Sequence, residues 1–294
     1  MALNKEVFKT RSLTALIFVA VMLAGLLWNF WSFVILFTII HFGCWLEYLK
    51  LVEKIHASII DSMLKWLFAI CGFIPMIVLG IQHYSSDIYL NIFSYSVSLK
   101  LIGWLLIFMT LILLLRNNPD VSSKALWMSF AGFLYISISI GLFLNLRDLN
   151  YNADNDIFGP GKIITCGIIF SIWINDTMAY IVGSLIGKTP FSKISPKKTW
   201  EGTSGGAILC VVVIGMLGYF IPVAKEIAVQ HWIAIAAICA IFGTAGDLLE
   251  SKIKRMADVK DSGTIMPGHG GFLDRFDSLL VATPFVWVYI KLFV

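Results

Sequence analysis

Long apolar runs, separated by short charged stretches, restrict what this chain can fold into more than any other feature of its sequence. A helix needs roughly 20 mostly apolar residues to cross the ~30 Å hydrocarbon core of a bilayer. Backbone groups in hydrocarbon must be satisfied within the spanning structure, which favours helices. We therefore predict an all-α fold, a polytopic helical membrane protein with about nine transmembrane helices. The predicted spans are Leu13–Leu27, Phe30–Leu46, Met63–Ile81, Leu99–Leu115, Leu126–Leu144, Ile163–Ile186, Ala207–Ile221, Trp232–Leu249 and Leu279–Val294.

The composition excludes several classes of protein. Hydrophobic residues make up 59% of the 294 residues and charged residues only 14%, whereas soluble domains carry about 25% charge. An ordinary cytosolic protein is therefore excluded. No basic tract is interleaved with aromatic residues, so we expect no nucleic-acid partner. The five cysteines lie in or beside apolar runs without a CxxC pair, which is typical of buried side chains rather than metal ligands or disulfides.

The positive charges predict how the chain is oriented in the membrane. Cytoplasmic loops carry an excess of Lys and Arg, and with a cytoplasmic N-terminus 17 of the 22 Lys and Arg residues lie on that side. We therefore expect an N-terminus in the cytoplasm, a location in the cell's inner (cytoplasmic) membrane and an active site facing the cytoplasm. No linker or internal repeat divides the chain, so residues 1–294 are predicted to form a single integral membrane domain.

Asp176 lies inside an apolar run, directly after Asn175. A carboxylate at such a position costs on the order of 2.5–3.5 kcal/mol unless it has a partner or faces water. Ala179, Gly183 and Gly187 follow on the same helical face and would let a helix or ligand approach closely. We expect a functional site here; the alternative is helix packing through small residues, with a hydrogen-bonded carboxyl group.

The segment Ser195-Pro-Lys-Lys-Thr-Trp-Glu-Gly202 follows this run. Lys197, Lys198 and Thr199 would suit a polyphosphate, as point charges and a hydrogen-bond donor. The spacing alone is a weak signal, because the segment does not match the GxxxxGK[ST] phosphate-binding loop.

The most informative stretch begins at the end of the eighth predicted span. Asp247, Glu250, Ser251 and Lys254 are spaced to share one face of a helix that leaves the membrane. Several acids and bases, one His and a Gly-Gly pair follow within a short distance. Carboxylates without Cys suit a hard cation such as Mg²⁺, and the basic residues suit phosphate. The stretch therefore predicts phosphoryl or nucleotidyl transfer at the inner face of a membrane.

These residues also form an extended pattern, S-x-hydrophobic-K-R-x4-K-D-x-small-x2-hydrophobic-P-x-H-G-G-hydrophobic-x-D-R-hydrophobic-D. The pattern runs from Ser251 to Asp277, with Met266 at a position that usually holds Leu, Ile or Phe. In this pattern, and in the upstream motifs around Asp176, Thr199 and Gly246-Asp247, the chain resembles the phosphatidate cytidylyltransferases, also called CDP-diacylglycerol synthases. Residues 126–294 carry the catalytic motifs, whereas residues 1–125 match mainly in hydropathy. Met178 stands where that family commonly has Gly.

The resemblance implies transfer of a cytidylyl group from CTP to phosphatidate, giving CDP-diacylglycerol and pyrophosphate in phospholipid biosynthesis. It implies Mg²⁺ as the cofactor, with K⁺ as a candidate second cation. CTP, phosphatidate and the lipid bilayer are the implied partners. Small-residue helix faces permit a homodimer without requiring one.

Residue roles are likewise implied by position in the motifs. The metal ligands would be Asp247 and Asp274, which also count as catalytic residues, with Asp261 and Asp277 as second choices for the metal. Further catalytic residues would be Lys260, Asp261 and His269. The implied substrate-binding residues are Lys197, Lys198, Thr199, Glu201, Ser251, Lys254, Arg255, Gly270, Gly271, Arg275 and Asp277, and the additional candidates are Asn175 and Asp176.

Two alternative functions are kept. A CTP-dependent lipid-alcohol kinase would need the same metal and phosphate contacts but would release CDP. A cation-coupled membrane transporter would explain buried acids, although it does not explain basic residues and Gly-Gly concentrated in one segment.

Overall fold

The computed structural model describes residues 5–81, 89–92, 95–98, 108–109, 112, 121–149, 159–264 and 270–294. Eight helical segments dominate this part of the chain. They are α1 (Lys5–Leu27), α2 (Phe30–His56), α3 (Ser62–Gly80), α4 (Ser123–Arg147), α5 (Pro160–Ile186), α6 (Trp200–Phe220), α7 (Val229–Met256) and α8 (Leu273–Phe293). A short 3₁₀ helix, Pro222–Glu226, joins α6 to α7.

Seven of these helices are long and apolar enough to cross a membrane, and Leu13–Leu27 within α1 is a shorter apolar helix. The predicted all-α polytopic membrane fold is therefore confirmed, and eight of the predicted spans coincide with helices. The remaining span, Leu99–Leu115, lies mostly outside the described residues. Only Phe108, Met109 and Ile112 are described there, and they are helical.

A small antiparallel hairpin is the exception to the helical fold. Strand β1 (Tyr89–Ile92) pairs with β2 (Tyr95–Ser98), so that Tyr89 lies opposite Ser98 and Ile92 opposite Tyr95. The sequence analysis predicted no strand. These short segments contain aromatic and β-branched residues, which favour strands.

Several helices extend beyond the predicted apolar spans. Helix α2 continues ten residues past Leu46 to His56, and α7 continues past Leu249 to Met256. Helix α8 begins at Leu273, ahead of the predicted Leu279. Hydropathy locates the hydrocarbon core, whereas backbone hydrogen bonding continues through the polar residues beyond it. The motif residues at these ends therefore lie on rigid helices.

The N-terminal helices pack around an aromatic core. Phe33 and Phe37 of α2 are fully buried and contact Phe143 of α4, with ring centroids 5.4 and 4.9 Å apart. Within α4, Phe133–Ile138 is π-helical, and Ser137 Oγ there accepts a 2.9 Å hydrogen bond from Trp45 Nε1. Phe37 also lies 6.3 Å from Phe276, which joins this core to α8.

The C-terminal helices approach one another closely through glycines. A methyl group at Gly206 of α6 would overlap the backbone of Ala179 in α5. A methyl group at Gly246 of α7 would likewise overlap the carbonyl group of Asp277 in α8. Small residues let helices approach closely inside a membrane, so the polar residues beside these glycines are brought together.

Gly246 and Gly243 form a matched pair for testing this packing. A Cβ at Gly246 would lie 2.5 Å from the Asp277 carbonyl oxygen, whereas a Cβ at Gly243 would make an ordinary 3.5 Å contact with Ser278 Cβ. We predict that Gly246→Ala destabilises the protein by about 1–3 kcal/mol, because an overpacked backbone must shift. Thermal unfolding in detergent should show a lowered midpoint for Gly246→Ala and little change for Gly243→Ala. Equal midpoints for the two variants would contradict the close contact.

Candidate functional site

Three carboxylates from two helices form a cluster near one end of the bundle. Asp247 and Glu250 lie one turn apart on α7, and Asp277 lies on α8. One carboxylate oxygen from each lies within 4.8 Å of the others. Glu250 is fully buried, Asp277 is buried, and Asp247 is partly exposed. Three converging carboxylates suit a hard cation such as Mg²⁺.

Two lysines balance the charge of this cluster. Lys198, from the segment between α5 and α6, forms an ion pair with Asp247. Lys254 Nζ lies 2.5 Å from Glu250 Oε2 and 2.6 Å from Asp274 Oδ1. Buried charges are costly unless they are paired, so these contacts make the cluster tolerable. Burial lowers the pKa of Lys198, and nearby carboxylates partly offset that effect.

The Asp274 side chain binds both ends of the loop that runs from Ser262 to Gly271. Its Oδ2 accepts hydrogen bonds from the backbone N–H of Ser262 at 2.9 Å, the Ser262 hydroxyl at 3.0 Å and the backbone N–H of Gly271 at 2.7 Å. Its Oδ1 accepts a 2.6 Å hydrogen bond from Lys254. Gly270 has a φ of 84°, and a Cβ there would press on the Asp274 carboxylate.

The geometry groups the acids differently from the predicted pair of metal ligands, which stays a prediction. The motifs favoured Asp247 with Asp274 and placed Asp277 second, whereas the structure groups Asp247 with Glu250 and Asp277. Both Asp274 oxygens accept hydrogen bonds from the chain, and both Asp247 oxygens also have partners, in Ser251 and Lys198. Motif position does not reveal this difference, because it depends on which way each side chain leaves α8.

Glu47 of α2 is a site residue that the sequence analysis missed. Its side chain is buried, and it accepts hydrogen bonds from the backbone N–H groups of Phe272 at 3.0 Å and Leu273 at 2.9 Å. It also accepts a 2.7 Å hydrogen bond from the Ser262 hydroxyl. A methyl group at Gly263 or Gly271 would overlap the Glu47 carboxylate. Glu47 therefore fastens both ends of the 262–272 loop to α2. A lone carboxylate beside apolar residues, the signal that identified Asp176, also marks Glu47 in the sequence.

Polar residues from Asn175-Asp176 and from the Ser195–Gly202 segment line a cavity of about 490 Å³ beside the cluster. This volume is typical of ligand pockets, which run about 300–1,000 Å³. The structure thus brings together three predicted motifs, of which the first and last, at Asp176 and Asp247, lie about seventy residues apart in the sequence. The polar lining includes Asn175, Asp176, Lys197, Lys198, Thr199 and Asp247.

Thr199 and Glu201 fix the segment between α5 and α6, which contributes to the cavity lining. Thr199 caps α6 by accepting a 3.1 Å hydrogen bond from the backbone N–H of Gly202. Glu201 accepts hydrogen bonds from the backbone N–H of Lys188 and from the backbone and hydroxyl of Thr189, the last at 2.7 Å. In these contacts Glu201 holds the segment that carries the lysines.

The remaining predicted residues lie around this centre. Ser251 donates a 3.5 Å hydrogen bond to Asp247, and Arg255 donates a 3.2 Å hydrogen bond to the backbone oxygen of Val259. Of these remaining residues, Arg255, Lys260, Asp261 and Arg275 are exposed, as are Asp176 and Lys197 in the cavity lining. His269 lies outside the described residues.

Comparison with known proteins decides the family. Residues 9–293 match the model of the cytidylyltransferase family. The chain belongs to this family. The resemblance inferred from the motifs is thereby confirmed.

Curated relatives support the same family. A phosphatidate cytidylyltransferase of Bacillus subtilis is 38% identical over 161 residues, which cover 54% of this chain and 56% of that protein. Phosphatidate cytidylyltransferase 5, chloroplastic, of Arabidopsis thaliana is 30% identical over 240 residues, 76% of this chain and 55% of that protein. A phosphatidate cytidylyltransferase of Staphylococcus saprophyticus is 46% identical over 114 residues, 38% of this chain and 43% of that protein. The chain spans about half the length of these relatives.

The role of Glu47 can be tested without an activity assay. In Glu47→Gln an amide NH₂ replaces one acceptor oxygen and faces a backbone N–H or the Ser262 hydroxyl. An unsatisfied buried donor costs about 1–3 kcal/mol, so we predict roughly 10- to 100-fold faster hydrogen exchange at Phe272 and Leu273. Hydrogen-exchange mass spectrometry of the 262–273 peptide measures this. Lys50→Gln, at an exposed position of the same helix, is the control, and unchanged exchange in Glu47→Gln would contradict the anchoring role.

Proposed function

We propose that this protein transfers the cytidylyl group of CTP to phosphatidate, forming CDP-diacylglycerol and pyrophosphate. The observation that carries the proposal is the cluster of Asp247, Glu250 and Asp277 beside a cavity lined by Lys197 and Lys198. It lies in a membrane-spanning member of the cytidylyltransferase family. The name of the relatives, phosphatidate cytidylyltransferase, supports the choice of lipid substrate.

In the proposed reaction, a phosphate oxygen of phosphatidate attacks the α-phosphorus of CTP. A new P–O bond forms, and the bond from the α-phosphorus to the oxygen that bridges it to the β-phosphorus breaks. Pyrophosphate leaves with that oxygen and with both electrons of the broken bond. The nucleophile is already anionic, so no side chain is required to deprotonate it. Catalysis then depends on positioning and on neutralising charge.

The carboxylate cluster fits a divalent cation, because all three donor groups are carboxylates. In this proposal Asp247, Glu250 and Asp277 hold Mg²⁺, which would supply positive charge at the phosphate oxygens. Asp274 acts as a positioning residue through the loop that it holds. K⁺ as a second cation stays a prediction.

Basic and hydroxyl groups of the cavity would bind the phosphates. Lys197, Lys198 and Thr199 line the cavity and are assigned to the CTP phosphates. Lys254 contacts two carboxylates, Glu250 and Asp274, and is not part of the cavity lining, so we assign it to maintaining the cluster. The predicted roles of Ser251, Arg255, Lys260, Asp261, His269, Gly270, Gly271 and Arg275 stay predictions.

The proposed orientation follows the distribution of charge. With a cytoplasmic N-terminus in the inner membrane, the lysine-rich segment between α5 and α6 faces the cytoplasm, where CTP is available. The whole chain is proposed to act as one integral membrane domain. A homodimer stays a prediction.

Labelled CTP distinguishes this proposal from the kinase alternative. The detergent-purified protein is incubated with phosphatidate, Mg²⁺ and CTP labelled at the α-phosphate, and lipid label is compared with pyrophosphate release. Cytidylyl transfer predicts Mg²⁺-dependent lipid label with an equal amount of pyrophosphate. Transfer of label from γ-labelled CTP to a lipid alcohol, with release of CDP, would instead indicate the kinase. A transporter predicts neither product.

Charge-removing variants test the revised metal assignment. We predict that Asp247→Asn, Glu250→Gln and Asp277→Asn each lower kcat/KM at least about 100-fold, because each removes charge that the reaction requires. Mn²⁺ binding, followed by electron paramagnetic resonance, should weaken in these variants and persist in Asp274→Asn. The control is Asp258→Asn, at an exposed residue with a φ of 53° that Asn tolerates. Loss of Mn²⁺ binding in Asp247→Asn and Asp274→Asn, with binding kept in Glu250→Gln and Asp277→Asn, would instead support the pair predicted from the sequence.

A further inference from the structure

A second cavity, here called the tail cavity, lies between α1, α2 and the start of α8. Its volume is about 320 Å³. The lining is apolar except for Thr14 and includes Ile17, Phe18, Val21, Ile39, Phe272 and Phe276. Ile17, Val21 and Ile39 are 55%, 52% and 56% exposed. In a membrane-spanning bundle such side chains face lipid, so the tail cavity is open to acyl chains.

The tail cavity adjoins the candidate active site through one layer of aromatic rings. The ring of Phe18 lies 6.2 Å from that of Phe276 and 6.3 Å from that of Trp173, between centroids. Trp173 is one helical turn before Asp176, which lines the polar cavity. A lipid at this boundary would therefore find charged groups on one side and hydrocarbon on the other.

The start of α8 contributes to both sides of the boundary. Phe272 and Phe276 line the tail cavity, whereas Asp277 belongs to the carboxylate cluster and Asp274 pairs with Lys254. The backbone N–H of Phe272 is bonded to Glu47. The wall of the tail cavity is thus fixed by the same contact that fixes the active-site loop.

We propose that the tail cavity binds one acyl chain of the phosphatidate substrate, and that the acyl carbons nearest the glycerol are the ones that occupy it. This inference rests on the proposed function. Lipid tails are as apolar as the cavity, so entry gains little from the hydrophobic effect. The gain is orientation: a chain held beside Phe272 and Phe276 restricts where the phosphate of the same molecule can lie, and positioning of this kind governs the rate.

A third cavity provides a matched comparison. It is also apolar, has a volume of about 220 Å³ and is lined by residues that include Ile163, Phe170, Leu217 and Trp232. Ile163 precedes Asp176 by thirteen residues on α5, which corresponds to about 20 Å along the helix. Phe170, in the nearer wall, precedes Asp176 by only six residues, but Leu217 follows Thr199 by eighteen, about 27 Å along α6. Carbons near the glycerol therefore cannot reach Leu217 while the phosphate is at the carboxylate cluster.

Tryptophan substitutions that fill each cavity test the proposal. Ile17→Trp and Val21→Trp change exposed positions of the tail cavity, and Leu217→Trp, at a position that is 38% exposed, fills the distant cavity. Kinetics are measured with dipalmitoyl phosphatidate in mixed micelles. We expect kcat/KM for phosphatidate to fall about tenfold or more in the tail-cavity variants, while KM for CTP changes less than about twofold. Leu217→Trp should match the unmodified protein.

A second measurement uses the unmodified protein and does not depend on turnover. Phosphatidate with a diazirine near the glycerol end of one acyl chain is photocrosslinked, and the adducts are mapped by mass spectrometry. We expect adducts in α1, α2 and the start of α8. Unlabelled phosphatidate should compete with them better than phosphatidylcholine does.

Two results would overturn the inference. One is adducts distributed equally over both apolar cavities, or competed equally by both lipids, which would indicate ordinary boundary lipid. The other is tail-cavity variants that behave like Leu217→Trp. Failure of the proposed function is recognised separately, because the unmodified protein would then label no phosphatidate from CTP, and the crosslinking result would still decide whether the cavity selects this lipid.

Discussion

The buried carboxylate of Glu47 is the contact on which the arrangement of the site depends. Through this carboxylate, α2 of the N-terminal half binds the 262–272 loop and the start of α8, which carry motif residues. The first N–H groups of a helix have no partner inside the helix, and a carboxylate near them is favoured by the helix dipole. Glu47 satisfies the groups at the start of α8 and therefore fixes the height and rotation of that helix. Asp274 and Asp277 lie on its first turns, so their positions follow from this contact.

Two of the three cluster carboxylates, Asp247 and Glu250, are paired with a lysine, which lowers the cost of burying them. Glu250 is fully buried but lies against Lys254, which also contacts Asp274. Asp247 is partly exposed, and Lys198 lies against it. Removing one partner of a buried ion pair leaves an uncompensated charge. The acids and lysines must therefore be considered as one unit, and the glycine contact at Gly246 is what allows α7 and α8 to come close enough to form it.

Much of this architecture could be predicted from the sequence, for a physical reason. Hydrophobic runs identify spanning helices directly, because hydrocarbon imposes one length and one secondary structure. The helix ends were less predictable, since α2 and α7 continue through charged residues that hydropathy treats as loop. Asp176, Lys198 and Asp247 were each identified, but that they share one wall of a cavity depends on the packing of α5 against α6 and α7. Glu47 lies outside every motif, and its role appears only when α2 meets α8.

The start of α8 shows how one short signature can encode both chemistry and membrane contact. The acidic positions, Asp274 and Asp277, are three residues apart, and the positions that the signature marks only as hydrophobic, Phe272 and Phe276, are four apart. With 3.6 residues per turn, each spacing returns to nearly the same face of the helix. The acids therefore share one face of this segment, and the two phenylalanines share another that lines the tail cavity. Phosphatidate, the substrate in the proposed function, has a charged phosphate and two apolar chains, which suit such a division. The hydrophobic positions of the signature would then be constrained by the lipid as well as by helix packing.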